Sequence, residues 1–153
     1  MIDWVFSPLL KMIGFDYKNK RAKDEELLTE ILTLLPFDGK SIDLLKNHDM
    51  GDPIPFEYFS SLNRVKELWL EPDKEFQVRS LEKLKVNFVT SLSVFLSEYA
   101  KKSAGAGKGF ISIGIKDWED RPDMIEYKTN LNHLATVAYQ NYCDLIKAAR
   151  KEI

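Results

Sequence analysis

The sequence predicts a mainly α-helical fold, an antiparallel helical bundle built on two long C-terminal helices, with one short strand or extended hairpin segment. Three observations carry that expectation. Leu81, Leu84, Phe88, Leu92, Phe95 and Tyr99 recur every three or four residues, which places them on one face of a long helix. Tyr127, Leu131, Leu134, Ala138, Tyr142, Leu145 and Ala149 repeat the pattern near the C-terminus. Between them, Ile111, Ile113 and Ile115 alternate with Ser112, Gly114 and Lys116, the period of a half-buried strand.

The first of these helices is expected to begin between Asp73 and Ser80. Lys101 and Lys102 suit its negative end, with Gly105 as the residue just beyond it. The tract SAGAGKG then reads as a flexible linker, and Asp120 and Pro122 open the last helix. Two helices of about 25 to 30 residues would each run about 40 Å, and a connecting loop can fold them antiparallel.

Shorter helices precede this pair. Ser7 before Pro8 resembles an N-cap followed by a first-turn proline, and Gly14 suits an exit, so a short helix is expected there, or a longer one kinked at Pro8. Lys18, Lys20, Arg21 and Lys23 form a basic link. Asp24, Glu25 and Glu26 then stand where a helix dipole favours carboxylates, and Leu27, Ile31 and Leu35 continue at four-residue spacing until Pro36. After the turn PFDGKS, a helix capped by Ser41 turns Ile42, Leu44 and Leu45 inward. Pro53 and Pro55 hold the next residues extended, and Phe56, Phe59, Leu62, Val65 and Trp69 follow helical spacing up to Pro72.

Composition bounds the function. A chain of 153 residues with 44% hydrophobic and 30% charged residues reads as a single helical domain, 1–153, with its own core. The 22 Lys and Arg against 24 Asp and Glu supply no global field for nucleic acid, which is not an expected partner. Cys143 is the single cysteine, so an internal disulfide and a cysteine zinc cluster are excluded and a reducing, cytoplasmic home is expected. No stretch has the roughly 18 apolar residues of a membrane span, and the N-terminus lacks the marks of a signal peptide.

Few residues invite chemistry. The tract HDMGD places His48, Asp49 and Asp52 near a helix end, with Asp43 close by, and imidazole with carboxylates is the donor set of metal-dependent hydrolases. His133, far along the chain, is the only second histidine. The competing expectation is that His48 and Asp49 satisfy backbone groups at the helix terminus and Gly51 supplies a positive φ. SAGAGKG fails as a phosphate loop: Lys102 stands where the first glycine belongs, Gly109 replaces the hydroxyl residue, and a helix precedes it. Phosphate binding through Lys101, Lys102 and Lys108 would need a spatial patch. Cys143 lies ten residues from His133 on one helix, about 15 Å, too far for direct proton transfer, and reads as a buried structural thiol. Trp69 and Trp118 are expected to close bundle ends with their polar edges near water.

Residues 34–51, LLPFDGKSIDLLKNHDMG, and residues 69–84, WLEPDKEFQVRSLEKL, resemble an uncharacterised group of bacterial helical proteins that share an LP-x-DG-S-I motif, an HD-x-G tract and a W-x-x-P-x-x-EF motif. The resemblance covers about a quarter of the chain. It implies a bacterial or phage-related cytoplasmic protein and carries no activity, cofactor or catalytic residue.

The expected role is therefore a non-catalytic protein-interaction or scaffold module without a cofactor, and the competing class is a metal-dependent hydrolase using the His48 and Asp49 region. Residues 1–15 form an apolar docking or anchoring segment in which Trp4, Phe6, Leu9, Leu10 and Ile13 require burial. A protein partner or a second copy is the expected destination. Peripheral membrane contact, reinforced by the basic link, is the other.

Overall fold

The computed structural model describes residues 3–114 and 121–153, with side chains from residue 19 onward. Five α-helices and three short strands follow in the order α1 (Asp3–Leu34), α2 (Lys40–Asn47), β1 (Ile54–Pro55), α3 (Glu57–Leu68), α4 (Arg79–Lys102), β2 (Ala104–Gly107), β3 (Phe110–Ser112) and α5 (Pro122–Glu152). A 3₁₀ turn at Pro72–Lys74 joins α3 to α4.

The two apolar stripes meet as expected. Phe88 packs edge-on to Tyr142 with ring centroids 5.5 Å apart, while the Tyr127 hydroxyl reaches the Glu98 carbonyl and Asn141 donates to Ser91 Oγ at 3.0 Å. As contacts move up α4 they move down α5, so the helices are antiparallel. Leu92, Phe95, Leu131, Ala138, Tyr142 and Leu145 are buried between them. The short helices close the core, α2 against α5 and α3, and α3 against α4.

α1 corrects the expectation of a short N-terminal helix followed by a basic link. It is one helix of 32 residues through Pro8, Gly14 and the lysines. A lone glycine costs a helix about 1 kcal/mol, which stops nothing when Lys20, Arg21, Ala22 and Lys23, then Glu25 to Leu28, are strong helix formers further along. Pro8 removes one backbone bond near the start of a long helix. The fold thus rests on three long helices.

α1 is fastened at two levels. At one, the Asp24 carboxylate is fully buried and accepts the backbone N–H groups of Gln77 at 2.7 Å and Val78 at 3.0 Å, immediately before α4. At the other, the buried Tyr142 hydroxyl donates to the Leu35 carbonyl at 2.6 Å, satisfying an acceptor freed by the end of α1. Arg21 donates to the carbonyl of Ile153 at 2.6 Å, so α1 runs antiparallel to α5. Leu27, Ile31 and Leu35 fill the space between.

Other local expectations shift. Ser41 does not cap α2, whose N-cap is Gly39. Its hydroxyl donates instead to the Tyr58 carbonyl at 2.8 Å, pinning α2 to α3. Phe56 precedes α3 and is 58% exposed, off the buried stripe of Phe59, Leu62 and Val65. α4 ends at Lys102 with an extended Ser103, so Gly105 is not its terminator.

The small-residue tract expected to be a linker is a strand and a turn. β2 and β3 form a hairpin through Gly107, Lys108 and Gly109, all at positive φ. β1 adds to the other side of β3, with Ile54 opposite Ile111, so the isoleucine strand finds a neighbour within its own chain. The strand order is β1-β3-β2. Ile113 turns into the core, and Ile115 and Lys116 lie outside the described residues.

Replacing Leu92, fully buried between α4 and α5, by alanine is expected to cost about 2 to 5 kcal/mol through lost burial and the cavity left behind. Denaturant unfolding measures it, and a loss near zero would remove Leu92 from the core.

Candidate functional site

The HD-x-G tract follows directly on α2. His48 is the C-cap of that helix, its extended backbone still donating N–H to the Leu44 carbonyl at 3.3 Å. Asp49 then closes a tight turn: its Oδ1 accepts the Gly51 N–H at 2.9 Å, and its backbone carbonyl accepts the Asp52 N–H at 3.0 Å. The Met50 N–H is taken by Asn132 Oδ1 at 2.8 Å, and the Met50 side chain is buried. Lys128 approaches Asp49 Oδ2 at 3.5 Å. Lys128 and Asn132 are one turn apart on α5, so a single helix face meets Asp49, Met50 and Gly51.

Gly51 serves this docking by its size and not, as the sequence suggests, by a positive φ, since the positive-φ glycines are Gly107, Gly109 and Gly114. A Cβ at Gly51 would stand 2.6 Å from Cδ of Lys128. The absent side chain lets Lys128 lie across the turn toward Asp49.

Electrostatics follows from the geometry. Burial alone works to raise the Asp49 pKa, but the Gly51 N–H, the Lys128 charge and the Asn132 side chain outweigh it and hold the carboxyl below the usual range. Asp49 is thereby kept as an anion. His48 Nε2 is buried without a hydrogen-bond partner among the described residues.

The structure does not gather the other chemistry-bearing residues here. His133 is exposed one position beyond Asn132, a step of about 100° around the helix axis and off the face that meets the tract. Asp52 is exposed. Among the described residues, no three His, Cys, Asp or Glu side chains are close enough to share a cation. Cys143 is half-buried, not fully buried as expected, and its thiol faces Tyr139, whose hydroxyl it holds above the ordinary tyrosine pKa. Lys101 pairs with Glu98, Lys102 lies over the Tyr127 ring at 4.8 Å, and Lys108 stands apart on the hairpin turn.

A concavity of about 510 Å³ lies between α1 and α3 and is lined in part by Glu26, Glu30, Arg64, Leu68, Trp69 and Lys74. Trp69 corrects the expectation of an indole edge in water: the residue is fully buried and its Nε1 has no partner. Lys74 crosses its ring at 5.6 Å and pairs with Glu30 at 2.6 Å, an anchor that raises the lysine pKa. Sequence reading missed this groove because Glu30 and Lys74 are 44 positions apart and neither sits in a motif. The one available signal was Trp69 at the end of its stripe.

The side chains of Trp4, Phe6, Leu9, Leu10 and Ile13 and all of Trp118 lie outside the described residues. No described helix is long and apolar enough to cross a membrane. No family model, curated protein or solved structure matches the chain.

The depressed Asp49 pKa has a definite pH sign. A carboxyl whose folded pKa is below its unfolded value contributes stability above the unfolded value, and loses it as pH falls through the ordinary carboxylate range toward the folded one. Lys128→Ala should move the Asp49 titration midpoint, followed by carboxyl NMR, back up toward 3.8 and shrink the acid-side loss of stability. An unchanged midpoint would show that Lys128 does not act on Asp49.

Proposed function

We propose that the chain is a non-catalytic protein-interaction module of the cytoplasm, a helical bundle whose N-terminal helix carries the docking surface for a partner protein or a second copy. The continuity of α1 is the observation that supports it. On one unbroken helix, Phe6, Leu9, Ile13, Tyr17 and Lys20 step by three or four residues into Asp24, Leu27, Ile31 and Leu35, the positions that face the core. The stripe that enters the bundle therefore begins well before it.

α4 starts at the level of Asp24 and α5 ends at the level of Arg21. Residues 3–20 of α1, about 27 Å of helix at 1.5 Å per residue, precede both levels. Trp4 falls on the side of the helix opposite Leu9 and Ile13, so the apolar positions spread over more than one face. A helix of that kind needs cover from several directions, which an assembly provides more readily than one neighbouring helix.

The HD-x-G tract supports the same reading. Asp49 is engaged by Gly51 and Lys128, and Met50 by Asn132, so the tract's polar groups are largely occupied in fixing α2 to α5. The competing hydrolase reading draws on the unpartnered His48 Nε2. A stoichiometric divalent ion in the purified protein, lost in a folded His48→Ala variant, would favour that reading.

Deleting residues 1–15 should lower the oligomeric mass or the melting temperature, as light scattering and calorimetry would show. If the truncated chain keeps both and loses only binding to liposomes, a membrane anchor replaces the protein-docking role.

A further inference from the structure

The small sheet has two edges of opposite chemistry. β1 is two residues long and Pro53 and Pro55 bracket Ile54, so two of the N–H groups that another strand would need are missing. β2 is exposed along all four residues and carries no proline, no charge and no side chain larger than a methyl group. Its inner side pairs with β3, Gly105 opposite Ile111 and Gly107 opposite Phe110, with Ala106 as the extra residue of a bulge. Its outer side has no strand beside it among the described residues. A Cβ built at Gly105 or Gly107 would meet nothing within 4 Å.

Natural edges are usually blunted by charge, proline, bulges or cover, because unpaired backbone groups recruit another strand. Here two prolines guard one edge, while the other has only the single bulge at Ala106. Lysines mark the ends of the open edge, Lys101 and Lys102 before it and Lys108 on the turn after it. Lys108 makes no ion pair or hydrogen bond among the described residues. Phe110, 41% exposed, stands on β3 opposite Gly107, where no side chain separates it from a strand on the far side of β2.

We propose that the β2 edge is a strand-addition site for an extended, acidic segment of a partner protein. The backbone of Ala104–Gly107, about 13 Å long, supplies the hydrogen bonds. A carboxylate at the turn end of the added strand meets Lys108, and one at the other end is drawn by the charge of Lys102, seated over the Tyr127 ring. A large apolar residue opposite Gly107 covers that glycine and reaches Phe110, the cross-strand packing that edge glycines otherwise lack. A second copy is the poorer occupant, because antiparallel pairing of two β2 edges gathers Lys102 and Lys108 of both chains on one sheet, where like charges oppose each other. This site is independent of the N-terminal helix, so either can fail alone.

The test is titration of the ¹⁵N-labelled full chain with the peptide Glu-Glu-Val-Phe-Val-Thr-Glu-Glu, capped at both ends, beside a version with lysine for every glutamate. The acidic peptide should shift the amides of residues 104–107 and slow their exchange about tenfold, an effect that added salt weakens. Ala106→Pro should abolish the response, and Lys108→Glu should weaken it severalfold with the helical circular dichroism unchanged. Equal binding of the lysine peptide, shifts confined to another surface, or no shift at all would overturn the proposal. Protection of residues 104–107 that grows with protein concentration in the absence of peptide would also overturn it, in favour of self-pairing.

Discussion

A carboxylate withdrawn from water must be met by donors, and Asp24 is fully buried in the middle of α1. Its donors are the N–H groups of Gln77 and Val78, at the threshold of α4 where unpaired amides and the positive end of the dipole await an anion. One side chain thus answers two demands, the solvation of its own charge and the capping of a helix 53 residues away whose own N-cap, Val78, offers no side-chain oxygen. The junction sets the register of α1. With Asp24 fixed, Leu27 and Ile31 face the core and Glu30 meets Lys74. Lys85 is buried at the same end of α4, donating to the Lys74 carbonyl at 2.8 Å and ion-paired with Glu82.

The helical pair was legible because its stripes span about five and six turns of regular spacing, and burial alone fixes which faces meet. The partner of the isoleucine strand was only half legible: Pro53 and Pro55 leave Ile54 extended and able to pair, but a segment of another molecule fits the same strand edge, and only the fold brings Ile54 opposite Ile111. α1 was not legible as one helix: Ser7-Pro8 and Gly14 carry the local signature of a start and a stop, and a local signature cannot weigh the helix-forming run that follows. Asp24 was read for its dipole effect at the start of its own helix, whereas it acts at the start of another. Small residues 104–107 hid a strand because Ala and Gly have low intrinsic strand preference, and the hairpin turn decides their conformation.

The candidate site divides in the same way. That His48 and Asp49 sit at a helix end was visible in the sequence, but the helix that meets Asp49 and Met50 was not: Lys128 and Asn132 are about 80 residues downstream. Gly51 looked like a backbone hinge and is a clearance for Lys128. The constellation is made of docking contacts, with its anion held by backbone and lysine.

Asp24→Asn tests the central constraint most directly, because it keeps the volume and removes the charge together with one of the two acceptors. Amide exchange and denaturant unfolding should show a loss of about 1.5 to 3 kcal/mol, the range for hydrogen bonds to charged groups. Exchange should quicken together at the start of α4 and along residues 20–35 of α1. Unchanged stability, or faster exchange confined to Gln77 and Val78 while α1 keeps its protection, would contradict the account in which this carboxylate fastens one helix to the other.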